Sequence, residues 1–510
     1  MLYQSPFLQL LQQLPPDYAV CIYDNKTLTV AALIEQSKNL AANLSAKGIK
    51  KGDHVLLACD VGIEFLILFM ALIHLRTKTA LVDPHMGNQR YASKLQQFQP
   101  KWAFIDSRLL LLQEHPLIRF IYRRKKPAAF YIPYSNKYTV FATGMWLPII
   151  QKHHRLKFTA NTTTDFMPSQ EDDELLVVYT SGTLAEPKAV VHTMNSLYES
   201  LKAVASLFEQ NKHASMVTHL PQFALIGMMT GYKTFFWKET TPPDQRITFI
   251  KQHHITTLFG PPAEYRDLMN YCKQTNQAFP ESLKNLILGS APVLKSLLVE
   301  LRQFSKGKIT CLYGMTEHLV VASIDGDEKI NYDGRGDVLG KPLDTMQYKF
   351  ADDGELLIHS PLLFKRYFHL QEADEFHATG DLVETDAKGR LIMKGRKKNM
   401  IIRANKNIYP GLYETTIAQI KGVKDVCMIG FYDEAIHDER VILVVDTDGS
   451  LTEKELIKEL RTGKHAIDSD ALPDHIIFQS IPKSGRQQKT DQQTLLEQIK
   501  QQLPLLTTSS

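Results

Sequence analysis

Four short segments of the 510-residue chain carry residue types that can hold a polyphosphate and manage its charge. The first is VYTSGTLAEPKAVVHT at 178–193, where an apolar run enters a turn of hydroxyls and a glycine and then reaches Pro187 and Lys188. Hydroxyls and glycine let backbone N–H groups converge on one anion, and a lysine adds charge. The glycine count and lysine spacing exclude the G-x-x-x-x-G-K-[ST] loop. The second is LYGMTEH at 312–318, which sets the Thr316 hydroxyl beside Glu317, a hard oxygen ligand suited to Mg²⁺ on a nucleotide. The third is TGDLVETDAKGRLIMKGR at 379–396, where Asp381 can accept from a ribose diol and Arg396 can donate to it. The fourth, IPKSGRQQKTDQQTL at 481–495, places Lys489 in a polar loop. Taken singly, these read equally as a turn, a surface loop, hairpin ends and a solvated lysine.

The elements around them follow an alternating pattern. Apolar runs bounded by turn residues at 54–58, 79–82, 102–105, 175–179, 256–259 and 286–288 predict strands, with helical spacing between them. At 27–48, Thr29 is placed to cap a helix, Val30, Leu33, Ile34, Leu40, Ala41 and Leu44 keep helical spacing, and Gly48 supplies the stop. The expected fold class is α/β: a large N-terminal lobe (1–397) of mixed, mostly parallel sheets layered with helices, and a small α+β C-terminal domain (398–510). The basic run GRKKNMIIRANKN at 395–407 predicts a linker and the first turn of that domain, and the Gln-rich 487–502 an exposed helix.

The set of segments, in this order, resembles the acyl-CoA synthetase, peptide-synthetase adenylation and luciferase superfamily of adenylate-forming enzymes. The resemblance covers nearly the whole chain and includes KGDHV (51–55), LILGSAP (286–292), GDVLGKPL (336–343), GELLIHSP (354–361) and NIYPGLYE (407–414). It implies ATP-dependent conversion of a carboxylic acid to an acyl-AMP, followed by transfer to a thiol such as CoA or a carrier protein. It implies that Thr180, Ser181, Gly182, Thr183 and Lys188 cradle the β- and γ-phosphates, that Thr316 binds the α-phosphate, and that Glu317 binds Mg²⁺. Gly289, Ser290, Ala291 and Pro292 would flank the adenine, with Tyr313 stacking on it and Gly314 beside it. Asp381 and Arg396 would hold the ribose, Lys398 would be the hinge of the small domain, and Lys489 would be the catalytic lysine.

The chain departs from the superfamily in places. Leu184, Ala185 and Ala189 replace a threonine and glycines of the phosphate loop, Asn405 replaces a glycine, and Gln488-Lys489 comes one position later than the usual Gly-Lys. Ala224 falls where most members carry histidine, and 215–230 holds no Asp or Glu. With Phe223, Leu225, Ile226, Met228 and Met229 nearby, this predicts a fatty or other apolar acid rather than an amino acid. LVDPHMG (81–87), the long basic insert at 119–155, LPQFAL, FGPPAEY (259–265) and the R-x-x-K ending also look like the olefin-pathway branch, whose members adenylate β-hydroxy acids that close to β-lactones without CoA. A non-catalytic relative is a third reading, against which Thr316, Glu317, Asp381, Arg396 and Lys489 all argue.

Composition excludes other classes. With 59 basic and 55 acidic residues, the net charge of +4 gives no ground for a nucleic-acid partner. Basic residues of the insert (Arg119, Arg123, Arg124, Lys125, Lys126) beside Phe120, Tyr122, Phe130 and Tyr131 read as a solvated face in preference to a contact with a membrane surface, a CoA phosphate or an acidic carrier protein. Five scattered cysteines predict reduced thiols in a cytoplasmic protein, and MLYQSPFLQLLQQLPPD lacks signal-peptide features. The apolar stretch 61–75 is too short, and with Glu64 too polar, to span a bilayer, so it is expected to be a buried helix.

Overall fold

The computed structural model describes residues 5–82, 88–118, 120, 138–144, 170–179, 188–208, 214–219, 224–238, 240–404, 406–433, 436, 438–484 and 489–506. The chain forms two compact units. The first comprises 1–259, 315–319 and 361–373; the second comprises 260–314, 320–360 and 374–510.

The first unit is built on a seven-stranded sheet in the order Arg366–Tyr367, Ala189–Thr193, Glu174–Tyr179, Lys78–Leu81, His54–Ala58, Trp102–Asp106, Thr139–Thr143. The four pairings from Glu174–Tyr179 to Thr139–Thr143 are parallel, and the two that involve Ala189–Thr193 are antiparallel. Strands buried on both faces need unbroken apolar runs, and Trp102–Asp106 is buried at every position. Ala103, Ile105, Val177 and Val191 join one core cluster. Of the basic insert, residues 139–143 form the edge strand, while its five named cations lie outside the described residues. A second group in this unit, Ala19–Tyr23, Ser215–Thr218, Lys233–Phe236 and Thr257–Gly260, is also parallel.

Local signals hold in detail. Thr29 caps helix Val30–Ala46 by accepting from the Ala32 amide at 3.2 Å, and Gly48 closes it at φ +95°. Helix Ile63–Leu75 is buried all round from Phe65 to His74, as a core helix must be when it is apolar on every face. No helix among the described residues is long and apolar enough to cross a membrane.

In the second unit the strands run, by pairing, Gln347–Phe350, Glu355–His359, His377–Thr385, Leu391–Arg396, Asp337–Pro342, Ala322–Asp325, Lys308–Tyr313, Asn285–Leu288. Only the last pairing is parallel; the others are hairpin-like and antiparallel. Residues from 401 onward make their own sheets. The hairpin Val423–Asp433/Asp438–Thr447 pairs with His475–Phe478, and helices Pro410–Ile417, Glu453–Thr462 and Gln492–Leu506 accompany it. Two apolar clusters fill this part, one around Met428, Leu443 and Leu456, the other around Ile429, Ile442 and Ile477. The Gln-rich end is a helix, but not one exposed on every face. Leu495 and Ile499, four residues apart, are fully buried in the second cluster. The basic run at 395–407 resolves into a strand end, a 3₁₀ turn Lys397–Asn399 and the small hairpin Ile401–Arg403/Lys406–Ile408.

Candidate functional site

Within the first unit, the described residues expected on the phosphate side gather on two neighbouring backbone features. Thr180, Ser181, Gly182 and Thr183 lie outside the described residues. Lys188 is exposed at the mouth of strand Ala189–Thr193, in which Ala189 is buried. Thr316 and Glu317 occupy a tight turn closed by two backbone hydrogen bonds, Met315 N–H to the His318 carbonyl at 2.9 Å and His318 N–H to the Met315 carbonyl at 3.2 Å. Such a turn puts two adjacent side chains at its tip, which is the spacing a hydroxyl and a carboxylate need to meet one phosphate–metal pair.

Two residues outside the expected set brace that turn. His192 Nε2 lies 2.8 Å from the Thr316 carbonyl oxygen. A carbonyl only accepts, so Nε2 carries the proton, and burial lowers the imidazole's pKa, keeping the ring neutral. The Tyr367 hydroxyl donates to Glu317 Oε1 at 2.8 Å, and the Lys188 ammonium sits 4.6 Å from the centre of the Tyr367 ring. Glu317 Oε1 is the only carboxylate oxygen of this residue engaged by a described side chain. One carboxylate with an uncommitted oxygen suits Mg²⁺, which takes one or two carboxylates and otherwise uses water and phosphate. Among the described residues no cluster of three or more His, Cys, Asp or Glu forms a metal cage.

The second unit holds the residues expected on the nucleoside side. Strands Asn285–Leu288 and Lys308–Tyr313 are parallel, with Leu288 opposite Cys311. Gly289–Pro292 therefore leave the sheet at a strand's carboxyl end, where α/β sheets bind ligands, while the neighbouring strand runs two residues further to Tyr313, which pairs with Ala322. Ser290 has φ +69°, so the chain turns sharply there. A Cβ on Gly289 would meet Leu312 Cβ at 3.4 Å, which leaves little room for a larger residue.

Asp381 and Arg396 face each other as a cross-strand pair, the hairpin ends of the sequence reading. Asp381 is 2% exposed, and both its oxygens are engaged. Arg396 Nε lies 3.0 Å from Oδ1, and the Tyr313 hydroxyl donates to Oδ2 at 2.6 Å. Burial, and after it the Asp381 charge, raise the Tyr313 phenol well above its ordinary pKa, so it remains a donor. The turn before Asp381 is pinned as well. The Gly380 amide donates to Glu355 Oε1 at 2.8 Å, and Lys397 Nζ reaches Glu355 Oε2 at 3.0 Å. Lys398 is exposed in the adjoining 3₁₀ turn. Lys489 begins a two-residue strand paired with Lys483–Ser484, and Lys483 anchors that hairpin by donating to Thr490 Oγ1 at 3.1 Å and by an ion pair with Asp425. The Lys489 side chain lies outside the described residues, as does Asn405.

Of the apolar set, Leu225, Ile226 and Met228 are buried on helix Ala224–Thr230, Met229 is half-buried, and Phe223 lies outside the described residues.

Residues 9–368 match the AMP-binding enzyme family. The 2-succinylbenzoate–CoA ligase of Bacillus subtilis is 25% identical, over 85% of this chain and 86% of its own length. The long-chain-fatty-acid–CoA ligase FadD13 of Mycobacterium tuberculosis is 25% identical, over 90% of each chain. A solved structure of O-succinylbenzoate coenzyme A synthetase from Bacillus subtilis, in complex with ATP and magnesium ion, shares the fold with TM-score 0.75 at 20% identity, covering 96% of this chain and 99% of that one.

Proposed function

Because the chain belongs to the AMP-binding enzyme family, we propose that it is an AMP-forming acid–thiol ligase that activates a fatty or other apolar carboxylic acid with ATP and hands the acyl group to CoA. The observation that carries the reading is the Tyr313–Asp381–Arg396 constellation, a buried carboxylate with two donors, one of which, Tyr313, ends the strand next to the one that leads into Gly289–Pro292.

A carboxylate resists nucleophiles because of its own negative charge. In the first step a carboxylate oxygen bonds to the α-phosphorus as the bond to the bridging oxygen breaks, and pyrophosphate leaves with the electron pair. Negative charge grows on the α-phosphate and on pyrophosphate, so preorganised donors and cations supply most of the acceleration. Thr316 would donate to the α-phosphate, Lys188 would neutralise the departing phosphates, and Lys489 would bridge the acid and the α-phosphate. Asp381 and Arg396 would orient the ribose. Mg²⁺ held by Glu317 supplies charge neutralisation on the phosphate oxygens. In the second step a thiolate bonds to the acyl carbon and AMP departs. A small domain from residue 398 onward would turn about Lys398 between the steps, a hinge motion of known type. Its own two cores, formed by residues after 400, support treating it as a separate body.

The absence of acidic residues from 215–230 and the apolar Leu225, Ile226 and Met228 support an apolar acid. The LVDPHMG and FGPPAEY segments and the altered Gln488-Lys489 ending favour a second reading, in which a β-hydroxy acid is adenylated and its own hydroxyl closes a β-lactone. A carrier protein is the alternative thiol, and a cytoplasmic setting is consistent with five cysteines that form no disulfide. Acid-dependent ATP–pyrophosphate exchange over a panel of acids, followed by product analysis with and without CoA, tests all of this. Thioester formed only with CoA supports the ligase; AMP released from 3-hydroxy acids without CoA supports lactone closure. No exchange with any acid would sink both.

A further inference from the structure

We propose that Tyr367 is a positioning residue of the phosphate side of the site, holding one oxygen of Glu317 so that the other alone is presented to the nucleotide's metal, and carrying the Lys188 ammonium on its ring. The proposal rests on the reading of Glu317 as the magnesium ligand.

The segment that contains Tyr367 is a strap between the two phosphate-side features. On one side it is sewn to the strand that follows Lys188. The Lys365 amide donates to the Val191 carbonyl at 2.8 Å, the Phe368 amide donates to the Ala189 carbonyl at 2.7 Å, and Tyr367 stands opposite Val190. On the other side it grips Glu317 twice. The Phe364 amide donates to the Glu317 backbone carbonyl at 2.9 Å, and the Tyr367 hydroxyl donates to the Glu317 carboxylate at 2.8 Å. The phenol is held in place from behind by the Phe364 ring, 4.8 Å away between centroids. Residues gripping both the backbone and the side chain of one carboxylate fix its direction as well as its position.

Two consequences follow from the chemistry. With Oε1 accepting from a phenol, Glu317 offers a metal one oxygen, the monodentate geometry that octahedral Mg²⁺ prefers. The ring's negative face attracts a cation, so Lys188 at 4.6 Å has a resting place beside the carboxylate when phosphate is absent.

Mn²⁺ uptake in the presence of ATP, read by electron paramagnetic resonance of the free ion, tests the assignment. Tyr367→Phe keeps the ring and removes the hydroxyl. It is expected to weaken Mn²⁺ binding in the enzyme–ATP complex about tenfold, to leave the thermal unfolding temperature near wild type, and to recover kcat at saturating Mg²⁺. The penalty should vanish when Glu317→Gln is already present, because the two act as one unit. Tyr367→Leu removes the ring as well and should further raise the KM for ATP. Equal Mn²⁺ affinity in wild type and Tyr367→Phe, or additive penalties in the double variant, would overturn the role of Tyr367 alone. A wild-type enzyme that takes up no Mn²⁺ with ATP would overturn the reading of Glu317, and Tyr367's role with it.

Discussion

The Tyr313 hydroxyl donates to Asp381 Oδ2 at 2.6 Å, joining a strand end to the hairpin that carries Asp381. Asp381 is almost wholly buried, so its charge depends on Tyr313 and Arg396 for compensation. Hydrogen bonds to buried charges contribute about 1.5–3 kcal/mol. Tyr313→Phe is therefore expected to raise the KM for ATP roughly tenfold, with kcat changed little, since in the proposed function the bond would lie at the nucleoside and not at phosphorus. Steady-state kinetics at saturating acid check this; a fall in kcat with KM unchanged would place Tyr313 in the chemical step instead.

Glu355 and Lys397 should separate buried from exposed contributions. Glu355 is buried and fixes both the Gly380 amide and Lys397 Nζ, while Lys397 is about half exposed and also pairs with Asp353 at 2.5 Å. Removing the buried acceptor orphans an amide, at about 1–3 kcal/mol; removing an exposed lysine costs about 0–1 kcal/mol. Glu355→Ala is expected to lower stability in urea and raise the KM for ATP by loosening the Thr379–Asp381 turn. Lys397→Ala should do neither to a measurable degree. Equal effects of the two would contradict this division.

How much of this was legible beforehand depends on how local each signal was. The strand 54–58, the Thr29 cap and the Asp381/Arg396 hairpin ends are set by short-range pattern, and the structure places them as the pattern predicts. Tyr367 and His192 were not legible as site residues. Tyr367 sits in a two-residue strand, too short for any periodicity, and meets Glu317 only through pairing with a strand far away in sequence. His192 lies in an apolar strand and reads as core until its Nε2 is seen against Thr316. The burial of Leu495 and Ile499 was obscured by the glutamines around them (Gln492, Gln493, Gln498, Gln501 and Gln502), although their spacing is helical.

Lys489 begins a two-residue strand whose hairpin is held by the Lys483–Thr490 bond and the Lys483–Asp425 pair, contacts made by other side chains. Lys489→Ala should therefore fold normally, with an unfolding curve matching wild type. Loss of one preorganised group at the charge-developing centre typically lowers rate about 10²–10³-fold. Pyrophosphate exchange should drop by that order. Near-normal exchange would remove Lys489 from its proposed role.

Glu414 predicts a pH dependence of stability in the C-terminal region. It lies on helix Pro410–Ile417, accepts from the Met428 amide at 2.8 Å, and is pushed up to about 7, chiefly by burial and next by the Asp425 charge. A carboxyl whose folded pKa is raised keeps its proton in the folded chain while the unfolded chain gives it up near the ordinary value of 4.5. Its contribution is thus fully present below about pH 4.5, declines as pH rises toward 7, and is absent above, a loss on the order of 3 kcal/mol. Glu414→Gln keeps an acceptor for the Met428 amide and cannot ionise. Urea midpoints across pH 4.5–8, followed by a probe in this region, should converge for the two proteins at the acid end and favour the glutamine variant at pH 8. A variant that keeps the wild-type slope through this range would show that the slope has another source.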